Sequence, residues 1–173
     1  DSVKRLNGIF AFAIWDAERE ELFLARDHAG VKPLYYFWDG KRFIFSSEIK
    51  ALLCHAIPRE VDTAAANLYF HVLYVPAPYT MLKNIRKFLP AHWLRLRGDR
   101  LEESEYWRAR DFSNVASYAE ARDTARALFD DSVRRQLISD RPVGVFLSGG
   151  IDSTAVLGSA LRAAGGRMKT YSV

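Results

Sequence analysis

A mixed α/β chain, α+β overall, is the fold class the sequence predicts, and three observations predict it. Residues 9–46 carry apolar side chains at period two around the tight-turn pair Asp39-Gly40. From Ser117 on, the apolar spacing changes to the helical period. Residues 143–154 then read as a strand that breaks at two glycines into a helix, and another strand closes the sequence. The expectation is an antiparallel sheet unit over residues 1–112, linker included, followed by the opening of a parallel α/β unit over residues 113–173.

In the first unit, a strand over residues 9–15 places Phe10, Phe12 and Ile14 on one face and Ala11, Ala13 and Trp15 on the other. That is the pattern of a strand covered on both sides. Residues 21–25 continue it, and residues 34–38 and 42–46 flank Asp39-Gly40, which tolerates the positive φ angles of a hairpin turn. Two helices follow, over 48–55 and 62–74; the second starts at the acidic cap Asp62 and stops before the loop Val75-Pro76-Ala77-Pro78. Strands over 93–96 and 103–107 are separated by a Gly98-Asp99 turn.

In the second unit, Tyr118, Ala121, Ala125, Leu128, Phe129, Val133 and Leu137 fall on one helical stripe, opened by the capping-box pair Ser117 and Glu120. A strand over 143–147, a helix over 153–164, a Gly165-Gly166 stop and a strand over 169–173 complete it. Two strands and two helices cannot bury both faces of a parallel sheet, and no initiator Met precedes Asp1. The expectation is an internal segment of a longer protein.

Composition narrows the function classes. The 173 residues are 49% hydrophobic, and the apolar stretch over residues 9–15 is far short of the ~20 residues a membrane span needs. No basic region with a cleavage site precedes it, so neither a membrane nor export is expected. The single cysteine, Cys54, excludes an internal disulfide framework and agrees with a reducing cytoplasm. A formal charge of +4 comes from dispersed Arg and Lys, with no basic stripe for nucleic acid. A small phosphate-bearing ligand suits it.

Residues 143–154 are built for such a ligand. Adjacent Gly149 and Gly150 let the backbone approach an anion without an intervening Cβ, and the first N–H groups of the following helix point outward unpaired. Ser148, Ser153 and Thr154 add hydroxyls. A Walker loop requires a Lys that this loop lacks, and a dinucleotide fingerprint requires spaced glycines. The alternative is a serine-capped helix whose glycines merely turn the chain.

Ser148-Gly149-Gly150-Ile151-Asp152-Ser153 resembles the pyrophosphate loop of the N-type ATP pyrophosphatases, which cleave ATP to AMP and pyrophosphate while activating a carboxyl or carbonyl oxygen. The rest of the chain resembles one family with that loop, glutamine-dependent asparagine synthetase. Leu6-Asn7-Gly8-Ile9-Phe10-Ala11-Phe12-Ala13 looks like its late glutaminase strand. Arg26-Asp27-His28-Ala29-Gly30-Val31-Lys32-Pro33-Leu34-Tyr35 is similar to its Arg-Asp-x-x-Gly-x-Lys-Pro-Leu-Tyr segment, and Ser46-Ser47-Glu48-Ile49-Lys50-Ala51-Leu52 to the segment that follows. Tyr74-Val75-Pro76-Ala77-Pro78 and Ile85-Arg86-Lys87 resemble the connection to the synthetase domain. One departure is Leu89-Pro90-Ala91-His92, where many members have Pro-Pro-Gly-His; if that glycine carries positive φ, Ala91 costs about 1 kcal/mol or shifts the turn.

The resemblance implies that residues 1–112 are the C-terminal part of a class II glutamine amidotransferase domain, a partial N-terminal-nucleophile-type sandwich, and its linker. It implies that residues 113–173 are the N-terminal part of an ATP-pyrophosphatase domain. The implied reaction converts aspartate, ATP and glutamine or ammonia to asparagine through a β-aspartyl adenylate, with Mg²⁺ on the phosphates. Ser148, Gly149, Gly150, Asp152 and Ser153 would cradle the pyrophosphate, with Phe146 and Val173 beside the adenosine. Asp152 has two readings, proximity to Mg²⁺ or organisation of the turn. A homodimer is the one protein partner allowed for.

No residue of this chain is assigned a catalytic role or a metal. The glutaminase nucleophile of the family is an α-amino-terminal Cys, whereas Cys54 lies in an expected helix and reads as a small core residue. His28, His55, His71 and His92 lack metal-ligand spacing and read as surface or core-edge histidines. Arg26 and Asp27 read as a structural ion pair, and Tyr35, Tyr36, Tyr106 and Trp107 as core or interface aromatics. Competing functions are a relative that adenylates another carboxylate, by amidation or lactam closure, and a non-catalytic nucleotide-binding module.

Overall fold

The computed structural model describes residues 2–109 and 117–172, in two compact units spanning residues 1–110 and 111–173. The expected boundary at residues 112 and 113 lies outside the described residues.

The first unit stacks two antiparallel sheets. One has the order β1 (Ala11–Asp16), β2 (Glu21–Arg26), β6 (His92–Arg97), β7 (Arg100–Glu105). The other has the order β4 (Phe43–Ser46), β3 (Tyr35–Trp38), β5 (Ile85–Lys87). Leu24 and Leu94 from the first meet Tyr36 from the second, with Leu34 and Phe88, in a fully enclosed layer between the sheets. Alternation along each strand sends the next residue outward. Ala25, with Phe12, Phe23 and Trp93, faces Val3 and Tyr106 on the outer side of the first sheet. Phe37 and Ile85 face Leu52 and Ile57 on the outer side of the second, under α1 (Ile49–Leu52).

Local chemistry explains where elements start and stop. The Asp39 carboxylate accepts the N–H groups of Lys41 and Arg42 at 3.0 and 2.7 Å while Gly40 takes φ +87°, and the β3–β4 hairpin closes there. Asp62 caps α2 (Thr63–Val72) by accepting from Ala65 N at 3.1 Å. In the second unit, Ser117 and Glu120 form both halves of a capping box on α3 (Tyr118–Gln136). The parallel pair β8 (Gly144–Phe146) and β9 (Lys169–Tyr171) brackets α4 (Ile151–Ala164), which stops at Gly165 in the left-handed region.

Several expectations need correction. Among the described residues β1 is covered only along its first half: it stands at the edge of its sheet, and Ile14 and Trp15 are 55% and 60% exposed. The helix expected over 48–55 is four residues, because the chain turns to set Leu52 and Ile57 on the sheet. Cys54 falls in that turn and is exposed, so it is not a core residue. α4 begins at Ile151, ahead of Ser153, since Gly150 serves as the N-cap. β5 has no counterpart in the sequence reading; β3 selects it by pairing.

The largest correction concerns Arg26 and Asp27, which do not pair with one another. Asp27 is 1% exposed, and its carboxylate accepts N–H groups from Phe10 (3.3 Å), Ala29 (3.2 Å), Val31 (2.9 Å) and Lys32 (3.1 Å). Arg26 donates to the carbonyls of Lys32 and Gly30, each at 2.6 Å, and to that of Phe88. Gly30 has φ +64°, and a Cβ there would sit 2.7 Å from Pro90 Cγ. Ala91 N–H donates to the Asp27 carbonyl at 2.9 Å, and Ala91 itself holds φ +55°. The alanine therefore adopts the glycine conformation with the turn intact.

Two outcomes are expected. Burial pushes the Asp27 carboxyl up, but the N–H groups of Val31, Lys32, Phe10 and Ala29 outweigh it and hold the group below its ordinary value. A depressed folded-state value contributes stability that is complete above the unfolded pKa of about 4 and is lost as pH falls through the folded one. Asp27→Asn should cost roughly 2–3 kcal/mol in urea unfolding at neutral pH and flatten the dependence below about pH 4. Ala91→Gly should change stability by less than about 1 kcal/mol, because relief of the left-handed strain is offset by chain entropy and the lost methyl. Ala91→Val, β-branched in that conformation and buried, should cost at least about 2 kcal/mol in the same assay.

Candidate functional site: the glycine loop between β8 and α4

β8 and β9 bring the two ends of the second unit's loop together. Leu147 N–H donates to the Tyr171 carbonyl at 2.8 Å, and Ser172 Oγ donates to the Leu147 carbonyl at 2.9 Å. Gly144 is required here, since a Cβ would lie 2.6 Å from a ring carbon of Tyr171. The chain then leaves β8 through Ser148, turns at Gly149 with φ +79°, and enters α4 at Gly150.

Hydroxyls organise the turn from inside. Ser148 Oγ lies 3.1 Å from Ser153 Oγ and accepts Gly150 N–H at 3.4 Å. Ser153 Oγ and Thr154 Oγ1 donate to the Gly150 carbonyl at 3.2 and 2.8 Å. With that proton committed, Ser153 Oγ accepts from Ser148, and the set is self-consistent. The first α4 hydrogen bond runs from Thr154 N–H to the Gly150 carbonyl at 3.1 Å. Among the described residues, no acceptor takes the N–H groups of Ile151, Asp152 and Ser153, so the opening turn presents donors to solvent at the positive end of the helix dipole.

The structure brings together Ser148, Gly149, Gly150, Asp152 and Ser153 on this one turn. Asp152 is exposed on the first turn of α4, and among the described residues no hydrogen bond or ion pair engages its carboxylate. Phe146 is 80% exposed at the end of β8, its ring centroid 6.2 Å from that of Tyr171. Val173 lies outside the described residues.

The sequence reading missed a groove of about 580 Å³ in which Arg126 and Phe129 of α3 face Gly149, Gly150, Ile151 and Thr154 of the loop and α4. Its far wall is set by Asp130, which accepts Ser159 Oγ at 2.6 Å and Arg162 at 2.7 Å and is held below the ordinary carboxylate range by those two donors in that order. Arg126 puts a cation beside the loop. Its only sequence signal is its place beside the apolar stripe of α3, and nothing local marks it.

The remaining candidates sit elsewhere. Among the described residues no group of three or more His, Cys, Asp or Glu is placed to hold a metal ion. His28 packs edge-on against Tyr106 and Trp107 at 5.4 and 4.9 Å, and His92 Nδ1 lies 2.7 Å from the Pro90 carbonyl. Among the described residues no helix is long and apolar enough to cross a membrane.

Comparison with known proteins finds two family matches along the chain. Residues 1–107 match the family described as glutamine amidotransferase domain, and residues 124–173 match the family described as asparagine synthase. A curated protein of Bacillus subtilis named asparagine synthetase [glutamine-hydrolyzing] 3 is 44% identical, covering 90% of this chain and 26% of its own length. A putative asparagine synthetase of Methanocaldococcus jannaschii is 39% identical over 91% of this chain and 32% of its own length. Amidase chry2 of Gibberella zeae is 33% identical over 90% and 24%. The chain thus spans 24–32% of the length of these relatives.

The two loop glycines should behave differently. Gly149→Ala forces a Cβ into a left-handed conformation and should cost about 1–2 kcal/mol in thermal or urea unfolding. Gly150 has φ −77°, and its nearest Cβ neighbour would be Ser148 Oγ at 3.4 Å. Gly150→Ala should therefore stay within about 0.5 kcal/mol of the parent.

Proposed function

The chain belongs to the glutamine-dependent asparagine synthetase family, and from that premise we propose that the protein couples glutamine hydrolysis to ATP-dependent conversion of aspartate to asparagine. The first unit is the C-terminal part of a class II glutamine amidotransferase domain, and the second is the N-terminal part of an ATP-pyrophosphatase domain. The observation that carries the reading is the open turn at Gly149 and Gly150, where unpaired N–H groups at the positive end of the helix dipole face a groove that Arg126 also lines.

On this reading Ser148, Gly149, Gly150 and Ser153 hold the β- and γ-phosphates of ATP, and Phe146 and Val173 flank the adenosine. Donors aimed where negative charge accumulates stabilise it without reorganisation. The aspartate β-carboxylate attacks the α-phosphorus, pyrophosphate leaves, and the β-aspartyl adenylate forms. Ammonia, released from glutamine, then adds to the acyl carbon and AMP leaves. Mg²⁺, when bound, supplies charge neutralisation at the phosphates. The unengaged Asp152 carboxylate, one hard oxygen donor beside a phosphate site, fits a cation shared with the nucleotide and does not fit an organiser of the turn.

Residues 1–173 alone are expected to turn over neither substrate, because they cover only 26% and 32% of two such relatives and, among the described residues, the exposed Cys54 thiol engages only the Lys50 carbonyl. A cytoplasmic location and a homodimer fit the reading as well. A second reading is adenylation of a different carboxylate, kept because a relative that carries a name other than asparagine synthetase, amidase chry2, is 33% identical over 90% of this chain.

The test is pyrophosphate release by the full-length protein with ATP, Mg²⁺ and ammonia, with and without aspartate. Aspartate-dependent release is expected, reduced at least about tenfold by Asp152→Ala and by Gly150→Ala, the latter without loss of fold. Release indifferent to aspartate would transfer the assignment to another acceptor, and release unaffected by both variants would remove the loop from the reaction.

A further inference from the structure

A second cavity, of about 440 Å³, lies in the first unit and is lined by Tyr36, Asp62, Thr80, Asn84, Arg86 and Glu103 among others. Two of its charges, Arg86 and Glu103, lie on β5 and β7 at the edges of the two facing sheets. Arg86 is the cross-strand partner of Tyr36, and Glu103 that of Leu94. Tyr36 and Leu94 both belong to the layer between the sheets, so the register places Arg86 on β5 and Glu103 on β7 on the two facing sheet surfaces, where both stay exposed at the open edge of the sandwich. Among the described residues neither closes an ion pair with the other. Glu103 takes only the Tyr36 hydroxyl, which donates to Oε2 at 3.4 Å from a ring stacked on Phe43 at 5.4 Å.

Two of the other polar groups are already engaged. Thr80 Oγ1 is 2.9 Å from the carbonyls of both Leu82 and Ile85, and one Asp62 oxygen caps α2. A guanidinium and a carboxylate therefore face each other across space large enough for a small molecule. A simple anion would meet Asp62 and Glu103, and a simple cation would meet Arg86. A molecule with both charges, a few bonds apart, satisfies each wall.

We propose that this cavity binds a free α-amino acid as its zwitterion, the ammonium donating to Glu103 and the carboxylate held by Arg86. Burial pushes the Glu103 carboxyl up, with Tyr36, His92 and Arg86 opposing, and burial with the Glu103 charge pushes the Tyr36 hydroxyl to about 12. Both effects are those of a carboxylate that gains from an incoming ammonium. The site is separate from the glycine loop and does not depend on the reaction proposed above.

The experiment is isothermal titration of the full-length protein with glycine and L-alanine, which carry no side-chain carboxyl or carboxamide for a substrate site to recognise. Acetate, methylamine and trimethylglycine, which lacks N–H donors, serve as controls. Saturable binding of both amino acids is expected, weakened about tenfold or more by Glu103→Gln and by Arg86→Gln. Tyr36→Phe, which keeps the ring stack, should weaken it several-fold. Absence of saturable binding would overturn the proposal, as would affinity unchanged in all three variants or equalled by a control.

Discussion

The Asp27 carboxylate is the interaction on which the first unit depends. A buried anion is costly unless its lone pairs are filled, and here backbone N–H groups from residues 10, 29, 31 and 32 fill them. Its own main chain adds bonds to Phe10, Gly30 and Ala91, and the neighbouring Arg26 carbonyl accepts the Tyr106 hydroxyl at 2.7 Å. The end of β2, the loop after it, the approach to β6 and the segment beyond β7 thus share one node. Removing the charge would leave the N–H groups of residues 10, 29, 31 and 32 without their acceptor at once.

The glycine loop uses the same physics with the anion left out. In both places the chain curls so that successive N–H groups converge, which makes a concave patch of positive potential. At Asp27 the protein supplies the negative group, and the patch becomes a rivet. At the opening of α4 the hydroxyls of Ser148, Ser153 and Thr154 are spent on the turn itself, and the N–H groups face outward. The contrast separates a structural from a ligand-directed use of one backbone device.

What was legible in the sequence was what neighbouring residues decide among themselves. The Asp39-Gly40 hairpin, the Asp62 cap, the Ser117-Glu120 box, the Gly165 stop and the strand–glycine–helix order each depend on a few consecutive residues. What was not legible is set by distant partners. β5 is three residues long and exists because β3 has an open edge. Arg26 and Asp27, adjacent and opposite in charge, invite an ion pair; each instead finds better geometry on main-chain atoms as far off as Phe88. The exposure of Cys54 follows from the early end of α1, and Arg126 joins the loop only through the packing of α3 on α4. Of the candidate site, the loop residues could be read directly and the cation beside them could not.

The loop after β2 is held almost wholly by its main chain: Ala29, Val31 and Lys32 contribute amides, and Gly30 and Lys32 contribute carbonyls. Side chains at 29 and 31 are bystanders to that geometry, so replacing them leaves the amides where they are. A change in spacing does not. Inserting or deleting a single residue would move every amide off its oxygen at once, and the segment therefore tolerates new letters far better than a change in length.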